Sequence, residues 1–388
     1  MKELPKDFID MLHDLLQDEA DELIESLNQP PITSVRLNKR KPGAEFDNVN
    51  PVPWCPSGLY LKERPEFILD PLLHAGAYYV QDASSMVYET VIKTLLSSDF
   101  TSEQFKNANL DILDLCAAPG GKTTAMINAL NDECHITAND YSQKRIPALK
   151  ENLAKWGYPD ITITNKDSSF FSAQSQSYDI IAVDAPCSGE GMMRKEEMAR
   201  SQWSWDLVNQ CATLQREILK NSMNALKPGG FLIYSTCTFN RKENEENAEF
   251  INKDLGLKPI NLNFPKEWGI PGGIDTDLPV YRFMPHKTRG EGLFLSVFQK
   301  PGIWEETKTR IKNKNLKKEG PELKEQPKVE VDLQTALSYL RREAIQLPDG
   351  SPLGLVTITY KGLALGPAKN IGSRANNLYP KNWRILKR

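Results

Sequence analysis

The chain has 388 residues, of which 40% are hydrophobic, and its 48 basic and 51 acidic side chains leave a formal net charge of −3. This length suits two or three domains of roughly 100–200 residues each, and the apolar content and balanced charge exclude a disordered chain. The six cysteines are too few for a disulfide scaffold, and no apolar run approaches the length of about 18 residues that a membrane-spanning helix needs.

Residues 1–100 are predicted to contain both helix and strand. They begin with an acidic helical stretch, whereas a signal peptide would begin with basic residues and an apolar core. We therefore expect a cytoplasmic protein with no membrane partner. A proline-bounded strand is predicted at Ile32–Asn38, directly before the three consecutive basic residues 39–41.

Residues 110–300 alternate short apolar runs with helical patterns, which favours a doubly wound α/β fold with a parallel sheet. The predicted strands are Asp111–Leu115, His135–Asn139, Ile161–Thr164, Tyr178–Val183 and Phe231–Tyr234. The predicted helices are Thr123–Leu130, Lys144–Lys155 and Asp206–Leu226. The buried face of the last helix is predicted to consist of Leu207, Cys211, Leu214 and Ile218. In such sheets the ligand lies beyond the carboxyl ends of the strands.

The C-terminal part of the chain is basic. Residues 303–330 are rich in Lys, Glu and Pro and are predicted to be a linker, whereas residues 331–388 return to a globular composition with a helix up to Ile345 and a strand at Gly354–Tyr360. From residue 301 onward there are 17 basic and 9 acidic side chains, a net charge of +8, so residues 1–300 carry −11. Basic residues interleaved with Tyr379 and Trp383 favour a polyanionic partner over a solvated tail.

A glycine-rich loop, Cys116–Thr124, follows the first predicted strand, and its small residues let a ligand approach the backbone. The phosphate-binding loop of an NTPase would need glycine where Cys116 stands. The turn of a nucleoside-cofactor fold instead predicts an acid about 20 residues later that binds ribose hydroxyls, and Asp140 follows Gly120 by 20 residues. A nucleoside cofactor is therefore favoured over an NTPase and over a glycine-rich turn without a ligand.

Acidic and thiol side chains follow the later strands. Asp167 is placed to accept a hydrogen bond from an adenine amino group, although an Asp after a strand is also common as a cap. The fourth strand ends in Asp184–Gly189 and the fifth in Ser235–Thr238, so Cys187 and Cys237 are expected at one edge of the sheet. Their polar flanks argue against a packing role, the ligand spacing argues against zinc, and a redox disulfide is disfavoured in the cytoplasm. The remaining interpretation is that the two cysteines take part in thiol chemistry.

Two thiols, an acid and a nucleoside cofactor at one edge fit the methylation of a pyrimidine at C5. A thiolate that adds to C6 makes C5 nucleophilic enough to attack an electrophilic methyl group. Protonation or hydrogen bonding of N3, a task for Asp184, stabilises the charge that develops, and a second cysteine suits the later elimination. The base must leave its stack to reach the thiolate. The residues by themselves do not decide which cysteine is the nucleophile.

These motifs resemble those of the Fmu/Sun (Nol/Nop/Sun) family of RNA (cytosine-5) methyltransferases. The motifs that carry the resemblance are Asp114–Thr123, Asp184–Gly189 and Ser235–Thr238. Two further segments, Tyr79–Ser85 and Met284–Gly292, resemble the segment that leads into that family's catalytic domain and its last motif. Residues 363–384 look like the PUA-like RNA-binding domain of the bacterial ribosomal RNA branch.

The resemblance implies an N-terminal α+β accessory, RNA-binding region in residues 1–100, a Rossmann-like class I methyltransferase domain in residues 101–302, and a PUA-like α+β domain in residues 331–388. It implies that Cys237 is the nucleophile, that Cys187 assists product release, and that Asp184 and Lys122 belong to the catalytic set. The implied cofactor is S-adenosyl-L-methionine, without a metal, and the implied contacts are Cys116, Ala117, Ala118, Pro119, Gly120, Gly121, Lys122, Asp140, Arg145, Asp167 and Asp184.

The substrate that the resemblance implies is cytosine C5 in RNA, with 16S ribosomal RNA as the expected RNA and a monomer as the expected state. The alternatives are a transfer RNA cytosine-5 methyltransferase and a catalytically silent RNA-binding homologue. Intact Cys187, Cys237 and Asp184 argue against the silent homologue. Asp184 keeps two roles, one toward the cofactor and one toward the edge of the cytosine.

Overall fold

Two amphipathic helices at the start of the chain pack away from the small sheet that follows them. The structure, a computed structural model, describes residues 2–98, 101–306 and 326–387. The elements of the N-terminal region are α1 (Lys6–Leu16), α2 (Ala20–Asn28), β1 (Ser34–Leu37), β2 (Val49–Val52), β3 (Cys55–Leu61), α3 (Pro71–Ala75) and β4 (Tyr78–Val80). The strands form an antiparallel sheet in the order β2-β3-β1-β4. The apolar face of α1 packs on the middle domain, where Phe8 meets Trp203 with ring centroids 5.3 Å apart.

The middle domain is built around one large sheet. Its elements are α4 (Val87–Ser97), α5 (Glu103–Lys106), β5 (Asp111–Asp114), α6 (Gly121–Ile127), β6 (His135–Asn139), α7 (Ile146–Trp156), β7 (Ile161–Thr164), α8 (Ser169–Ser172), β8 (Tyr178–Asp184), α9 (Glu197–Gln202), α10 (Trp205–Ser222), β9 (Leu226–Thr236), α11 (Glu245–Lys253), β10 (Lys258–Pro259), β11 (Val280–Phe283) and β12 (Leu293–Gln299). The strand order is β10-β12-β9-β8-β5-β6-β7, and β11 pairs with β12.

The predicted doubly wound fold is confirmed for the five strands β5 to β9, which are parallel to one another. Both faces of this sheet are covered: Ile112 and Leu113, neighbours on β5, belong to core clusters on opposite faces. A strand that is buried on both faces has apolar side chains on both, so its sequence is a continuous apolar run without alternating polar residues. Such runs allowed these strands to be predicted from the sequence. The antiparallel strands β10, β11 and β12 were not predicted.

The order of the strands determines where a ligand can bind. The chain runs outward from β5 through β6 to β7 and then returns to β8 on the other side of β5. The connections therefore diverge between β5 and β8, and a crevice opens at the carboxyl ends of these two strands. β9 lies beside β8 with Ser235 opposite Asp184. The loops that follow these three strands carry the predicted segment Cys116–Thr124 and the two predicted cysteines, whereas Asp140 and Asp167 follow β6 and β7.

The predicted buried face of α10 is confirmed at Ile218 and wrong at Leu214. The helix buries Val208, Ala212, Gln215 and Leu219, whereas Leu214 is 43% exposed. The spacing of apolar residues gave the wrong face because Gln215, a polar residue, lies on the buried side of the helix. There its amide nitrogen donates to the carbonyl oxygen of Pro186 at 2.8 Å. The helix also ends at Ser222, because β9 begins at Leu226 and takes in the Lys-Pro-Gly-Gly segment that was predicted to separate helix from strand.

The C-terminal region forms a separate small sheet. Its elements are β13 (Lys328–Glu330), α12 (Leu333–Leu340), β14 (Gly354–Tyr360), β15 (Leu363–Asn370) and β16 (Ala375–Asn377), with the strand order β13-β14-β15-β16. β13 corrects the predicted linker, because its pairing with β14 places it in the domain, while residues 307–325 of that linker lie outside the described residues. The core of this region includes Ala75 of α3, so the domain packs against the N-terminal region.

Basic residues of this region lie on its surface while the apolar residues between them are buried. Lys369 and Arg374 are exposed, whereas Ala368, Ala375 and Tyr379 are in the core. The apolar residues interleaved with basic ones are therefore those of a folded domain. Among the described helices, none has the length and apolar character needed to cross a membrane.

Candidate active site

The loops after β8 and β9 bring the two predicted cysteines into contact, with Sγ of Cys187 3.2 Å from Sγ of Cys237. The N–H of Gly191 donates to the carbonyl oxygen of Cys237 at 2.7 Å, and a Cβ atom on Gly191 would lie 3.0 Å from that oxygen, so glycine permits the close approach. The hydrogen bond to Cys237, together with burial, raises the pKa of the Cys187 thiol well above its usual range. Cys187 therefore keeps its proton near neutral pH.

An ion pair lies at the same edge. Nζ of Lys122 donates to Oδ2 of Asp184 at 2.7 Å, and Oγ of Ser235 donates to Oδ1 at 2.7 Å. The hydroxyl of Tyr88 lies 2.8 Å from Ser235 Oγ and completes the chain of hydrogen bonds. Burial lowers the pKa of Lys122, but the charge and hydrogen bond of Asp184 outweigh it and raise that pKa, with a further contribution from Cys237. The ammonium group is thus charged and held beside the thiols.

The glycine-rich loop lies over Asp140, as predicted. The N–H of Ala118 donates to Oδ2 of Asp140 at 3.0 Å, and the N–H of Ser142 donates to Oδ1 at 2.9 Å. Arg145 forms an ion pair with Oδ2 at 3.2 Å and also donates to the carbonyl oxygen of Ala118. Gly120 has a φ of 107°, in the region that favours glycine, where the loop turns into α6. The structure brings these predicted residues together at the crevice.

Two predicted residues have environments that the sequence did not indicate. Asp167 is exposed and accepts a hydrogen bond from the N–H of Ser169, the first residue of α8, at 2.9 Å. Hydrogen bonds from the side chain and from the N–H of Ser169 lower the pKa of Asp167, and contact with the cofactor stays a prediction. Cys116 lies two residues after Asp114, the last residue of β5. Burial, followed by the charge of Asp114, raises the pKa of the Cys116 thiol well above its usual range, which keeps it protonated.

The segments Tyr79–Ser85 and Met284–Gly292 meet at the rim of the site. The N–H of Glu291 donates to Oδ1 of Asp82 at 2.9 Å, and a Cβ atom on Gly290 would lie 2.0 Å from Oγ of Ser84. Asp82 also contributes to the raised pKa of Lys122, so it faces the ion pair. These segments, far apart in the chain, form one wall of the crevice.

Sequence reasoning missed two buried acids behind the cysteines. Glu190 and Glu243 have no exposed surface, and both accept hydrogen bonds from Nδ2 of Asn240, at 2.7 and 2.8 Å. Glu190 lies just beyond the Asp184–Gly189 motif, which was the available signal. Glu243 stands in an acidic stretch that is typical of a solvated helix start, so its burial could be seen only in the folded chain.

The middle domain matches the family model described as 16S rRNA methyltransferase RsmB/F over residues 104–299, about half of the chain. The chain belongs to the RsmB/F family of 16S rRNA methyltransferases. The flanking regions match the N-terminal domain of 16S rRNA methyltransferase RsmF over residues 4–83 and the methyltransferase RsmF PUA domain over residues 326–385. These matches confirm the resemblance that the motifs indicated.

Relatives within the RsmB/F family are longer than this chain. Ribosomal RNA small subunit methyltransferase F of Pectobacterium atrosepticum is 35% identical over 318 residues, which cover 77% of this chain and 63% of that protein. The protein of the same description from Aeromonas hydrophila is 36% identical over 240 residues, covering 58% of this chain and 48% of that protein. The chain thus spans between about half and two thirds of these relatives.

Solved structures confirm the fold. The structure described as NSun6 from Pyrococcus horikoshii with SFG has a TM-score of 0.64 at 21% identity, covering 78% of this chain and 99% of that chain. A methyltransferase homologue from the same organism has a TM-score of 0.64 at 23% identity, covering 76% of this chain and 95% of that chain. The α/β fold with a Rossmann-like core is therefore shared with these proteins.

Proposed function

We propose that the protein transfers a methyl group from S-adenosylmethionine to C5 of a cytosine in RNA, with 16S ribosomal RNA as its substrate. The observation that carries the proposal is the pair of thiols, 3.2 Å apart, beside the Lys122–Asp184 ion pair. Membership of the RsmB/F family supports the choice of ribosomal RNA over transfer RNA.

Acceptor groups at the crevice fit the cofactor. Oδ1 of Asp140 accepts one backbone N–H and keeps a lone pair for a ribose hydroxyl. The exposed carboxylate of Asp167 suits an amino donor, and Asp184 suits the ammonium group of the amino-acid end. S-adenosylmethionine, when bound, supplies the methyl group on a sulfonium that attracts the nucleophilic carbon.

Cys237 is proposed as the nucleophile because its neighbour keeps its proton. With the pKa of Cys187 raised, the S–H of Cys187 can donate across the 3.2 Å contact, and we therefore assign the attack on the base to the sulfur of Cys237, which acts as a thiolate. The Lys122 ammonium favours that negative charge. The thiolate of Cys237 adds to C6 of the cytosine, and the negative charge that develops at N3 is stabilised by the Lys122 ammonium group, which Asp184 holds beside the thiols.

Cys187 acts when the thiol is expelled. Once C5 carries the methyl group, its proton leaves to solvent, the C5–C6 double bond re-forms and the C6–S bond breaks. The leaving group is the Cys237 thiolate, and the neighbouring S–H of Cys187 stabilises it by a hydrogen bond. This role explains why a second cysteine is needed in contact with the first.

Bisulfite sequencing of 16S rRNA from cells with and without the gene tests the proposal. We expect one or more cytosines to resist conversion only when the gene is intact, and restoring a gene that encodes Cys237→Ala should not restore them. Protection of a transfer RNA cytosine instead would assign the enzyme to the other RNA class. Identical conversion of all RNAs in both strains would refute methylation.

Replacement of Asp140 by alanine should weaken S-adenosylmethionine binding by at least about tenfold. A hydrogen bond to a charged group contributes about 1.5–3 kcal/mol, and about 1.4 kcal/mol corresponds to one decade of affinity. Titration calorimetry measures the effect, and Asp140→Glu, which keeps the carboxylate, is the matched control that retains most of the affinity. Unchanged affinity in the alanine variant would limit Asp140 to holding the loop through Ala118 and Ser142.

Neutralising exposed bases of the C-terminal domain should weaken RNA binding and reduce its salt dependence. The variant replaces Lys361, Lys369, Arg374 and Lys381 by glutamine. Each lost phosphate contact reduces the slope of log affinity against log salt by roughly 0.7–0.9, so the slope should fall by about three if all four bind phosphate. Lys253→Gln on α11, whose base pairs with Glu249, is the control. A slope unchanged in the quadruple variant would exclude this face from RNA binding.

A further inference from the structure

Glu190 and Glu243 form a carboxyl pair behind the two cysteines, and every partner that the structure gives these carboxylates is an uncharged donor. Oε1 of both residues accepts from Nδ2 of Asn240, at 2.7 and 2.8 Å, and both Oε1 atoms lie within hydrogen-bond distance of Oγ of Ser188. Both side chains are fully buried. Two buried negative charges bridged in this way repel each other strongly. The state in which one of the two carboxyl groups is protonated is therefore favoured over the state in which both are ionised.

The donors around each carboxylate show where the proton is held. Oε2 of Glu190 accepts from the N–H groups of Phe239 and Asn240, and its Oε1 accepts from Nε1 of Trp203 at 2.9 Å, so donors surround both oxygens of this carboxylate and favour a negative charge on it. Oε2 of Glu243 accepts from Nε2 of Gln215 at 2.7 Å. Its Oε1 faces Ser188 Oγ, which can accept a proton and pass its own to Glu190.

Titratable groups around Glu243 agree with this placement. They are Glu190, Cys187, Cys237, Cys211 on α10 and Tyr234 on β9, with Arg216 beyond Tyr234. Burial raises the pKa of Cys211 and Tyr234, and the hydrogen bond to Cys237, together with burial, raises that of Cys187, so these three stay neutral near pH 7. Burial, followed by the charge of Glu190, raises the pKa of Glu243 to about 7. Glu243 is therefore the member that holds the proton below that pH.

The pair joins the two loops that carry the thiols. Ser188, next to Cys187, donates its N–H to Oε2 of Glu243 at 3.1 Å. Phe239 and Asn240, which closely follow Cys237, donate their N–H groups to Glu190. Loss of the shared proton would leave two negative charges between these loops, and the charges would repel each other.

We propose that Glu190 and Glu243 are positioning residues that share one proton and hold Cys187 and Cys237 in contact. The kinetic part of the inference rests on the proposed methyl transfer. The pair does not touch the cytosine or the cofactor; it acts through the loops. Its protonation adds an upper pH limit to the activity, because the thiol contact is maintained while Glu243 keeps its proton.

The test compares Glu190→Gln with Glu243→Gln. Glutamine at 243 resembles the protonated acid, so single-turnover methyl transfer near pH 6.5 should stay within about threefold of the wild type. Glutamine at 190 places an amide NH₂ group, itself a donor, next to backbone and side-chain donors. The buried hydrogen bond that is lost in this way should slow methyl transfer at least about tenfold. Glu249→Gln on α11 is the control for an uncharged substitution outside the pair.

The pH profile separates positioning from a merely structural role. The wild-type rate should fall as pH rises through about 7, and Glu243→Gln should lack this fall. Equal rates for the two glutamine variants, or a fall in Glu243→Gln at the same pH as in the wild type, would overturn the inference.

Thermal unfolding at about pH 5 and about pH 8 gives a readout that needs no RNA. A pKa raised in the folded state means stability that is present below the unfolded pKa and is lost as pH rises through the folded pKa. The wild-type midpoint should therefore drop more between these pH values than that of Glu243→Gln, and equal drops would also overturn the inference. If no form methylated RNA while this difference held, the proposed function would fail and the proton-sharing pair would stand.

Discussion

Replacement of Cys237 by alanine is expected to abolish methyl transfer while S-adenosylmethionine affinity stays within about twofold of the wild type. In the proposed mechanism the thiol forms the bond to C6, and it is not one of the acceptor groups around Asp140. Loss of a covalent nucleophile costs on the order of ten-thousand-fold or more in rate. Incorporation of labelled methyl groups into 16S rRNA measures the rate, and calorimetry measures the affinity.

The control for this substitution is Cys134→Ala, which removes a buried thiol at the start of β6, remote from the loops after β8 and β9. It should retain activity. Residual methylation above about one per cent in Cys237→Ala would show that another group attacks C6, and transfer of that role to Cys187 would reverse the assignment.

Replacement of Cys187 by alanine is expected to trap a covalent complex between the protein and RNA. Attack by Cys237 still proceeds, but the S–H that lies 3.2 Å from its sulfur is missing when the C6–S bond must break. The adduct should appear on a denaturing gel as a band of reduced mobility that requires both RNA and S-adenosylmethionine, and turnover should fall below one per enzyme during the assay.

The double variant, with alanine at both positions, should show no adduct, because the attacking sulfur is absent. An adduct formed by Cys237→Ala but not by Cys187→Ala would contradict the assignment of both residues. Rapid turnover by Cys187→Ala with no adduct would instead show that expulsion of the thiol needs no neighbouring donor, and the role of the contact would then be limited to attack.

The proposed carboxyl pair and the thiol pair are parts of one arrangement. Cys187 follows β8 and Cys237 follows β9, and strand pairing alone brings the loops near each other. Contact between the two sulfur atoms also requires that the loops lie in the right position. Gly191 permits the close approach of the loops, and Glu190 and Glu243 accept hydrogen bonds from the backbone of both loops. Glu190→Gln should therefore slow methyl transfer without altering the affinity for S-adenosylmethionine.

The sequence by itself determined the middle domain well. Strands buried on both faces appear as continuous apolar runs, and residues at their ends, such as Asp140, Asp184 and Cys237, must meet at one edge whatever the details of the packing. The motifs were local enough to be recognised in order along the chain. The antiparallel strand β12 is also a buried apolar run, but no helical pattern separates it from β11, so it lacked the alternation of strand and helix that marked the other strands.

Tertiary structure alone decided the features that depend on what a side chain faces. The buried stripe of α10 includes Gln215, whose polarity hid it from a periodicity count, and Glu243 looks like a solvated acid until Ser188, Gln215 and Asn240 surround it. The raised pKa of Cys187 likewise depends on its hydrogen bond to Cys237 and on burial, neither of which its place in the sequence indicates. The charge of a side chain and its hydrogen bonds depend on the groups that surround it in the folded protein. Those groups come from segments far apart in the chain, and their distance in sequence does not show that they are in contact.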